Sequence, residues 1–448
     1  GPAGQRAAVQ GAKLGHRVAL VERRRSLGGT CLETGTIPSK TFREAVLWSS
    51  NPFDRRPSRA EARPTAEELL SRVAQVIGQE GSVIGQQLRR NGVEVVGGAA
   101  SFKDPHTVLV ETDAGWRELT ARNVIVAVGT VPAPAPGVTA DGDVILTSDD
   151  IVRLGRLPRT MTVIGAGVIG VEYASMFAAL GVEVTLVEKR RRPLEFLDEE
   201  IVDELIHQLR KRHVIFRPGE TVDRLEIAEG SAKRAVIHLD SGKRIVSDMA
   251  LFSAGRIGAT ASLNLAAAGL DADVRGRLDV DAEFRTLVPN IFAVGDVIGY
   301  PSLAATSSEQ GRLAACHALG HPAGKMAQHF PIGIYAIPEI SMVGETEREL
   351  TERKVPYEVG VARYREIARG QILGDESGFF KMLFHREDRR LLGVHIIGTG
   401  ATELLHIGQT VYGLGAGLDY FLQTVFNYPT LAECYKVAAL NAANKLAG

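Results

Sequence analysis

A chain of 448 residues is too long for a single hydrophobic core and points to about three domains. With 45% apolar and 23% charged residues and a formal net charge of −1, the composition is that of a soluble globular protein, and it argues against nucleic acid or an anionic membrane as main partner. No apolar run is long enough to span a bilayer and no signal peptide is visible; Cys31, Cys316 and Cys434 are an odd, scattered set, so the expected setting is a reducing cytoplasm.

In chain order, residues 1 to about 48 read as a helix, a strand and a loop rich in glycine and threonine. Residues 51–64, rich in Pro, Arg and Ser, read as a solvated connection. Helical periodicity over 65–91 places Leu69, Leu70, Val73, Val76, Ile77, Ile84 and Leu88 on apolar positions. Residues 93–118 alternate like strands, with turns at Asp104-Pro105 and Asp113-Ala114-Gly115. A buried-type strand over 123–128 ends at Gly129-Thr130. Further strands are expected near 249–253, ending at Gly255-Arg256, and over 290–294, followed by Gly295-Asp296 and a helix from about Ser308. Residues 331–448 mix strands (378–384, 393–397) with helices (402–412, 430–446) and carry no glycine fingerprint, which points to an interface domain.

The chain repeats itself. Residues 1–24 laid over 167–190 agree at eleven of twenty-four positions, among them Gly1/Gly167, Gly4/Gly170, Glu22/Glu188 and Arg24/Arg190. In the second copy a strand over 162–164 precedes Gly165, Gly167 and Gly170. This G-x-G-x-x-G run allows a tight turn, close approach to a pyrophosphate and close helix packing. The helix that follows aims its first amides at the phosphates, and a strand from Glu183 ends at Glu188, placed to accept from a ribose 2'-hydroxyl. The first copy lacks its leading strand and first glycine, so about six to twelve further residues are expected before Gly1. Glu188 favours NAD(H), while Arg190, Arg191 and Arg192 supply guanidiniums that could clamp a 2'-phosphate, the combination a site taking both NAD(H) and NADP(H) needs.

The run from Gly28 to Lys40 resembles the redox loop of the flavoprotein disulfide reductases, such as dihydrolipoamide dehydrogenase and glutathione reductase. The resemblance covers essentially the whole chain. It implies an α/β fold with two Rossmann-like dinucleotide-binding domains, for FAD and NAD(P), and a C-terminal α+β dimerisation domain. The expected boundaries are 1–150 for FAD, 151–272 for NAD(P), 273–330 for a central FAD-binding segment and 331–448 for the interface. It further implies that Gly1, Gly4, Glu22, Gly29, Thr30, Gly129, Thr130, Asp296 and Ala304 serve the FAD site. Gly165, Gly167, Gly170, Glu188, Arg190, Arg191 and Gly255 serve the nicotinamide nucleotide. Lys40 is expected beside the flavin N5, with Glu172 as its partner near the nicotinamide.

Two departures set the expected chemistry. Relatives carry a second cysteine five positions after the first; here that position is Thr36, and a hydroxyl cannot enter thiol–disulfide exchange with Cys31. Relatives also carry a histidine before Pro429-Thr430 that moves protons for the thiols; here it is Tyr428, a weak base at neutral pH, while Glu433 remains. The pattern implies FAD-mediated hydride transfer between nicotinamides, NADPH + NAD+ = NADP+ + NADH, in a homodimer or larger homo-oligomer with no metal. A diaphorase-type NAD(P)H:quinone reductase and a non-catalytic nucleotide-sensing flavoprotein stand as alternatives.

Overall fold

The computed structural model describes residues 1–50, 63–230, 232–327 and 329–447. Most of the expected solvated connection at 51–64 lies outside the described residues.

The second copy of the repeat builds a five-stranded parallel sheet in the order Ile215–Pro218, Glu183–Glu188, Thr160–Ile164, Met249–Phe252, Ile145–Thr147. The inner strand Met249–Phe252 is apolar and buried throughout, because both of its faces are covered, while the edge strand Ile215–Pro218 is mostly exposed. Val163, Val184, Leu186 and Leu251 are all buried. Helix Val168–Ala179 lies almost wholly within the core, and Glu199–Lys211, N-capped by Asp198, follows the loop after Glu188.

The first copy forms two separate parallel pairs. Ala19–Glu22 runs beside Glu94–Gly97, and Val124–Val126 beside Ile291–Ala293. The expected buried strand at 123–128 is shorter, Val124–Val126, and only half-buried, because among the described residues it has a sheet neighbour on one side only; Val128, beyond its end, is 38% exposed. Helix Ala66–Arg90 opens on a capping box between Thr65 and Glu68 and buries Leu69, Val73 and Leu88. It packs along Thr36–Ser50. The strands expected over 93–118 are observed as Glu94–Gly97, Ala99–Asp104, Thr107–Thr112 and Gly115–Thr120. The helix expected from Ser308 begins a turn earlier, at Ala304, in a run of small residues that carries no apolar period.

The last part is a five-stranded antiparallel sheet ordered Ile332–Ile334, Ile340–Gly344, Leu391–Ile397, Phe379–His385, Tyr357–Arg363. Helices Ala401–Gly413 and Glu433–Leu446 pack on it, burying Phe380, Val394, Leu405 and Tyr435. The last helix starts three residues later than expected, so Tyr428-Pro429-Thr430 precede it.

Candidate active site

Three stretches distant in sequence meet at one ion pair. Helix Thr36–Ser50 presents Lys40 on its second turn, and helix Val168–Ala179 presents Glu172 two positions after Gly170. Lys40 Nζ donates to Glu172 Oε2 at 2.8 Å and to Oε1 at 3.0 Å. The third stretch follows strand Ile332–Ile334. The Tyr335 backbone N–H donates to Glu172 Oε1 at 2.8 Å, and Lys40 Nζ stands 4.8 Å from the centre of the Tyr335 ring. Neighbouring bonds hold the junction. Ile337 N–H donates to Ser175 Oγ at 2.9 Å, Arg43 Nε to the Ala336 carbonyl at 3.0 Å, and Arg43 Nη2 to Glu339 at 3.2 Å. Glu172 is buried, while Lys40 keeps 26% of its side chain exposed, so the cation is the member open to a ligand. The expected Lys40–Glu172 pairing is thus present in the fold; Tyr335, Arg43 and Ser175 have no motif to mark them.

The glycine fingerprint is explained by its contacts. A Cβ on Gly170 would lie 1.8 Å from the Gly165 carbonyl oxygen, so only glycine lets the helix start so close to the turn. At Gly167 nothing stands within 4 Å of a Cβ position, which leaves room where a pyrophosphate would approach the helix amides. Glu188 closes the unit. It accepts the Ala166 N–H at 2.7 Å, and the Arg190 N–H and Nε at 3.0 Å each. Burial raises the Glu188 pKa, but these hydrogen bonds outweigh it and hold the carboxyl below its ordinary range.

The first copy repeats that geometry. Arg24 N–H donates to Glu22 Oε1 at 3.1 Å, the counterpart of Arg190 and Glu188; the Arg24 side chain turns instead to Glu33. A Cβ on Gly29 would fall 2.8 Å from Gly1 Cα, so the start of the short helix Gly29–Glu33 crosses tightly over Gly1, the N-cap of the helix that carries Gly4. Across the site, Thr130 Oγ1 lies 3.5 Å from Asp296 Oδ2 and accepts Arg256 Nε at 2.9 Å. Burial pushes the Asp296 pKa up against the opposing pull of Arg256 and Thr130. Gly129 and Gly255, both at positive φ, turn the chain beside Thr130 and Arg256, and Ala304 opens the helix behind Asp296. A carboxylate at a strand end, a backbone crossing that excludes Cβ atoms, and a largely desolvated aspartate opposite suit the ribose and phosphates of FAD.

Cys31 is unpaired with sulfur. Burial raises its pKa, and the Thr36 hydroxyl that hydrogen-bonds it lowers it less, so the net shift is upward and the thiol stays protonated at neutral pH. Tyr428 is 67% exposed. Glu433 Oε2 is buried with no hydrogen-bond partner among the described residues. Among those residues no hydrogen bond or ion pair joins Tyr428 or Glu433 to Lys40, Glu172, Cys31 or Thr36; within one chain the structure does not bring the two groups together.

Two dinucleotide folds flanking a lysine–glutamate pair define a nucleotide-dependent oxidoreductase. Residues 1–311 match the model of the pyridine nucleotide-disulphide oxidoreductases, and residues 330–439 match that family's dimerisation domain. The chain belongs to this family. It is 53% identical, over 100% of its length and 96% of the relative's, to a protein of Mycobacterium tuberculosis named soluble pyridine nucleotide transhydrogenase. It is 44% identical to a protein of that name from Colwellia psychrerythraea, covering 100% of this chain and 97% of the other. Among solved structures, LpdA from Mycobacterium tuberculosis superposes with a TM-score of 0.90 at 26% identity, covering 98% of this chain and 97% of that one. The HOCl-induced flavoprotein disulfide reductase RclA from Escherichia coli gives a TM-score of 0.88 at 27% identity, covering 98% of each chain. No helix among the described residues is long and apolar enough to cross a membrane.

Proposed function

We propose that this chain catalyses NADPH + NAD+ = NADP+ + NADH, with FAD as its resident cofactor and without a redox-active disulfide. Residues 1–150 and 273–330 hold FAD, residues 151–272 the nicotinamide nucleotide, and residues 331–448 pair two copies into a homodimer that works in the cytoplasm. The observation that carries the reading is the contact of Cys31 with Thr36: the loop of a disulfide reductase is present, and a hydroxyl stands where the second sulfur would be. The full-length relatives named soluble pyridine nucleotide transhydrogenase support it.

When bound, FAD supplies the ring that accepts hydride from one nicotinamide and returns it to another. The chain supplies the rest. Gly165, Gly167 and Gly170 bring the backbone to the pyrophosphate of either nucleotide, and Glu188 orients the ribose. Lys40 places a positive charge at the junction, and Glu172, fixed by the Tyr335 N–H, sets its position and tempers it. Tyr428 replaces a proton-moving histidine without loss, since hydride exchange between nicotinamides leaves no thiol to protonate.

The test is anaerobic stopped-flow mixing of the FAD-loaded protein with NADPH, followed by thio-NAD+. Reduction and then reoxidation at rates matching turnover are expected. Turnover of lipoamide or glutathione disulfide, or a reduced protein that thio-NAD+ leaves reduced, overturns the reading.

A further inference from the structure

The tripeptide Leu-Gly-His occurs twice, as Leu14-Gly15-His16 and Leu319-Gly320-His321, and each copy ends a helix. The two ends are built alike. Leu14 and Leu319 are the C-caps, and Gly15 and Gly320 take positive φ, 85° and 68°. His16 N–H donates to the Gly11 carbonyl at 3.2 Å, and His321 N–H to the Cys316 carbonyl at 2.9 Å. Gly15 N–H donates to the Ala12 carbonyl at 3.0 Å, and Gly320 N–H to the His317 carbonyl at 3.2 Å. These bonds close the same Schellman turn twice, so each histidine leaves its helix at the same point of the same turn.

The fold sets the two ends side by side. Helix Pro2–Lys13 packs along helix Ala304–Ala318. A Cβ on Gly311 would meet the Ala3 carbonyl oxygen at 2.1 Å. Further along, Gln10 Nε2 donates to Cys316 Sγ at 3.5 Å, and a Cβ on Gly11 would stand 3.7 Å from Leu319 Cδ1. The contacts advance in the same direction along both helices, which therefore run parallel and finish at one level. There the His16 and His321 rings meet edge to face, with centres 6.2 Å apart and planes at 82°. Both residues are exposed, and neither side chain makes a hydrogen bond or ion pair among the described residues.

Parallel helices bring two carbonyl ends together, each carrying about half a negative charge, and a cation between them offsets the repulsion. A metal about 2.1 Å from each coordinating nitrogen lies roughly 3.2 Å from each ring centre, so two imidazoles on one ion stand at most about 6.4 Å apart. The observed spacing falls inside that limit, and exposed rings close further by rotation about their side-chain bonds. Lys13 and Arg17, both exposed, flank His16 in the chain and oppose a cation. A hard, oxygen-seeking ion gains too little from two imidazoles to overcome them, whereas nickel, copper and zinc bind imidazole strongly.

We propose that His16 and His321 chelate one divalent ion of the nickel, copper or zinc class, with water in its remaining positions. The ion ties together the C-terminal ends of two helices whose opposite ends border the proposed FAD site. The site is remote from the Lys40–Glu172 junction in sequence and does not depend on the transhydrogenase reading.

Calorimetric titration of the FAD-loaded protein with NiCl2 at pH 7.5 tests this. The parent should bind one Ni2+ per chain at this site. His16→Gln and His321→Gln should each raise its Kd by about tenfold or more, because either change leaves a lone imidazole. The double variant should bind no more weakly than either single one. Saturating Ni2+ should raise the Tm of the parent and leave that of both single variants where it was. Both side chains are exposed, so the variants should keep the parent's flavin absorbance. A parent that binds no Ni2+, an unchanged affinity in either single variant, or losses that add in the double variant overturns the proposal.

Discussion

Lys40 and Glu172 lie 132 positions apart and meet at 2.8 Å, one on helix Thr36–Ser50 beyond the first copy of the repeat and the other on helix Val168–Ala179 inside the second. The pair joins a largely buried carboxylate to a partly open ammonium, and their charges act in opposite directions on any ring beside them. A reduced, anionic flavin is stabilised by a cation and destabilised by an anion. Lys40→Met should lower the midpoint potential of the bound FAD and slow its reduction by NADPH by about 10²-fold. Glu172→Gln keeps an amide oxygen for the Tyr335 N–H and removes only the charge, so it should raise the potential. Spectroelectrochemical titration of both variants reads the two signs; shifts in the same direction would sink the assignment.

Cys31 carries a raised pKa because burial outweighs the Thr36 hydrogen bond, so little thiolate exists at neutral pH. Its alkylation by iodoacetamide at pH 7.5 should be slower than that of free cysteine by about tenfold or more, in step with the scarcity of thiolate. Thr36→Cys puts a second thiol where the hydroxyl now meets Cys31. That variant, oxidised in air, should lose two titratable thiols relative to its reduced form, whereas the parent loses none. Retention of both thiols in oxidised Thr36→Cys would show that the two positions are not in disulfide reach.

Local chemistry is the part of the site that the sequence makes legible. The Gly165–Gly170 fingerprint and Glu188 follow from spacing, because one turn and one crossover fix their relation whatever surrounds them. The Glu22/Glu188 identity marks the two carboxylates that accept the Arg24 and Arg190 backbone N–H groups, bonds that any non-proline residue at those positions could donate. Tyr335 is invisible in sequence, since it acts through a backbone N–H delivered by an interface-domain strand, a contact made by folding across 163 positions. Charge alone marks Arg190 as a phosphate ligand, whereas the geometry turns it onto Glu188. Lys381 has no signal either: a lysine inside the apolar run Phe379–His385 makes sense only once another domain brings carboxylates to it.

Those carboxylates make Lys381 a fastening between domains. Its side chain is 0% exposed, and Nζ donates to both oxygens of Asp198 at 3.0 Å, to Glu200 at 2.7 Å and to Glu347. Burial lowers the ammonium pKa, but the carboxylates outweigh it and the group stays charged. Asp198 caps the helix that follows the nucleotide-binding loop, and Arg348 donates to the Glu195 carbonyl in that loop at 2.7 Å. Lys381→Met leaves Asp198 buried and unpaired, a loss of about 3–5 kcal/mol. Urea unfolding should show it as an earlier transition, and Lys381→Arg should recover much of the loss. A Met variant as stable as the parent would mean that water reaches the cluster freely.

His395 sits in register with Lys381 on the neighbouring strand and is fully buried. Its Nε2 lies 2.9 Å from the Glu345 carbonyl, which accepts, so Nε2 carries the hydrogen and Nδ1 is left without a partner. Burial is the main cause that lowers its pKa to about 4; Lys381 acts in the same direction, while Asp198, Glu347 and Glu349 oppose it. The unfolded chain binds this proton near pH 6.5 and the native protein does not until about pH 4, so stability is complete above 6.5 and falls as pH drops toward 4. Between pH 7.5 and 5.5 one such group removes about 1.4 kcal/mol. His395→Gln can still donate to the Glu345 carbonyl and does not titrate. Urea midpoints taken across that window should therefore fall more steeply for the parent than for the variant. Equal slopes would mean that His395 gains its proton in the native state as readily as in the unfolded chain, and that the burial around Lys381 is looser than the geometry requires.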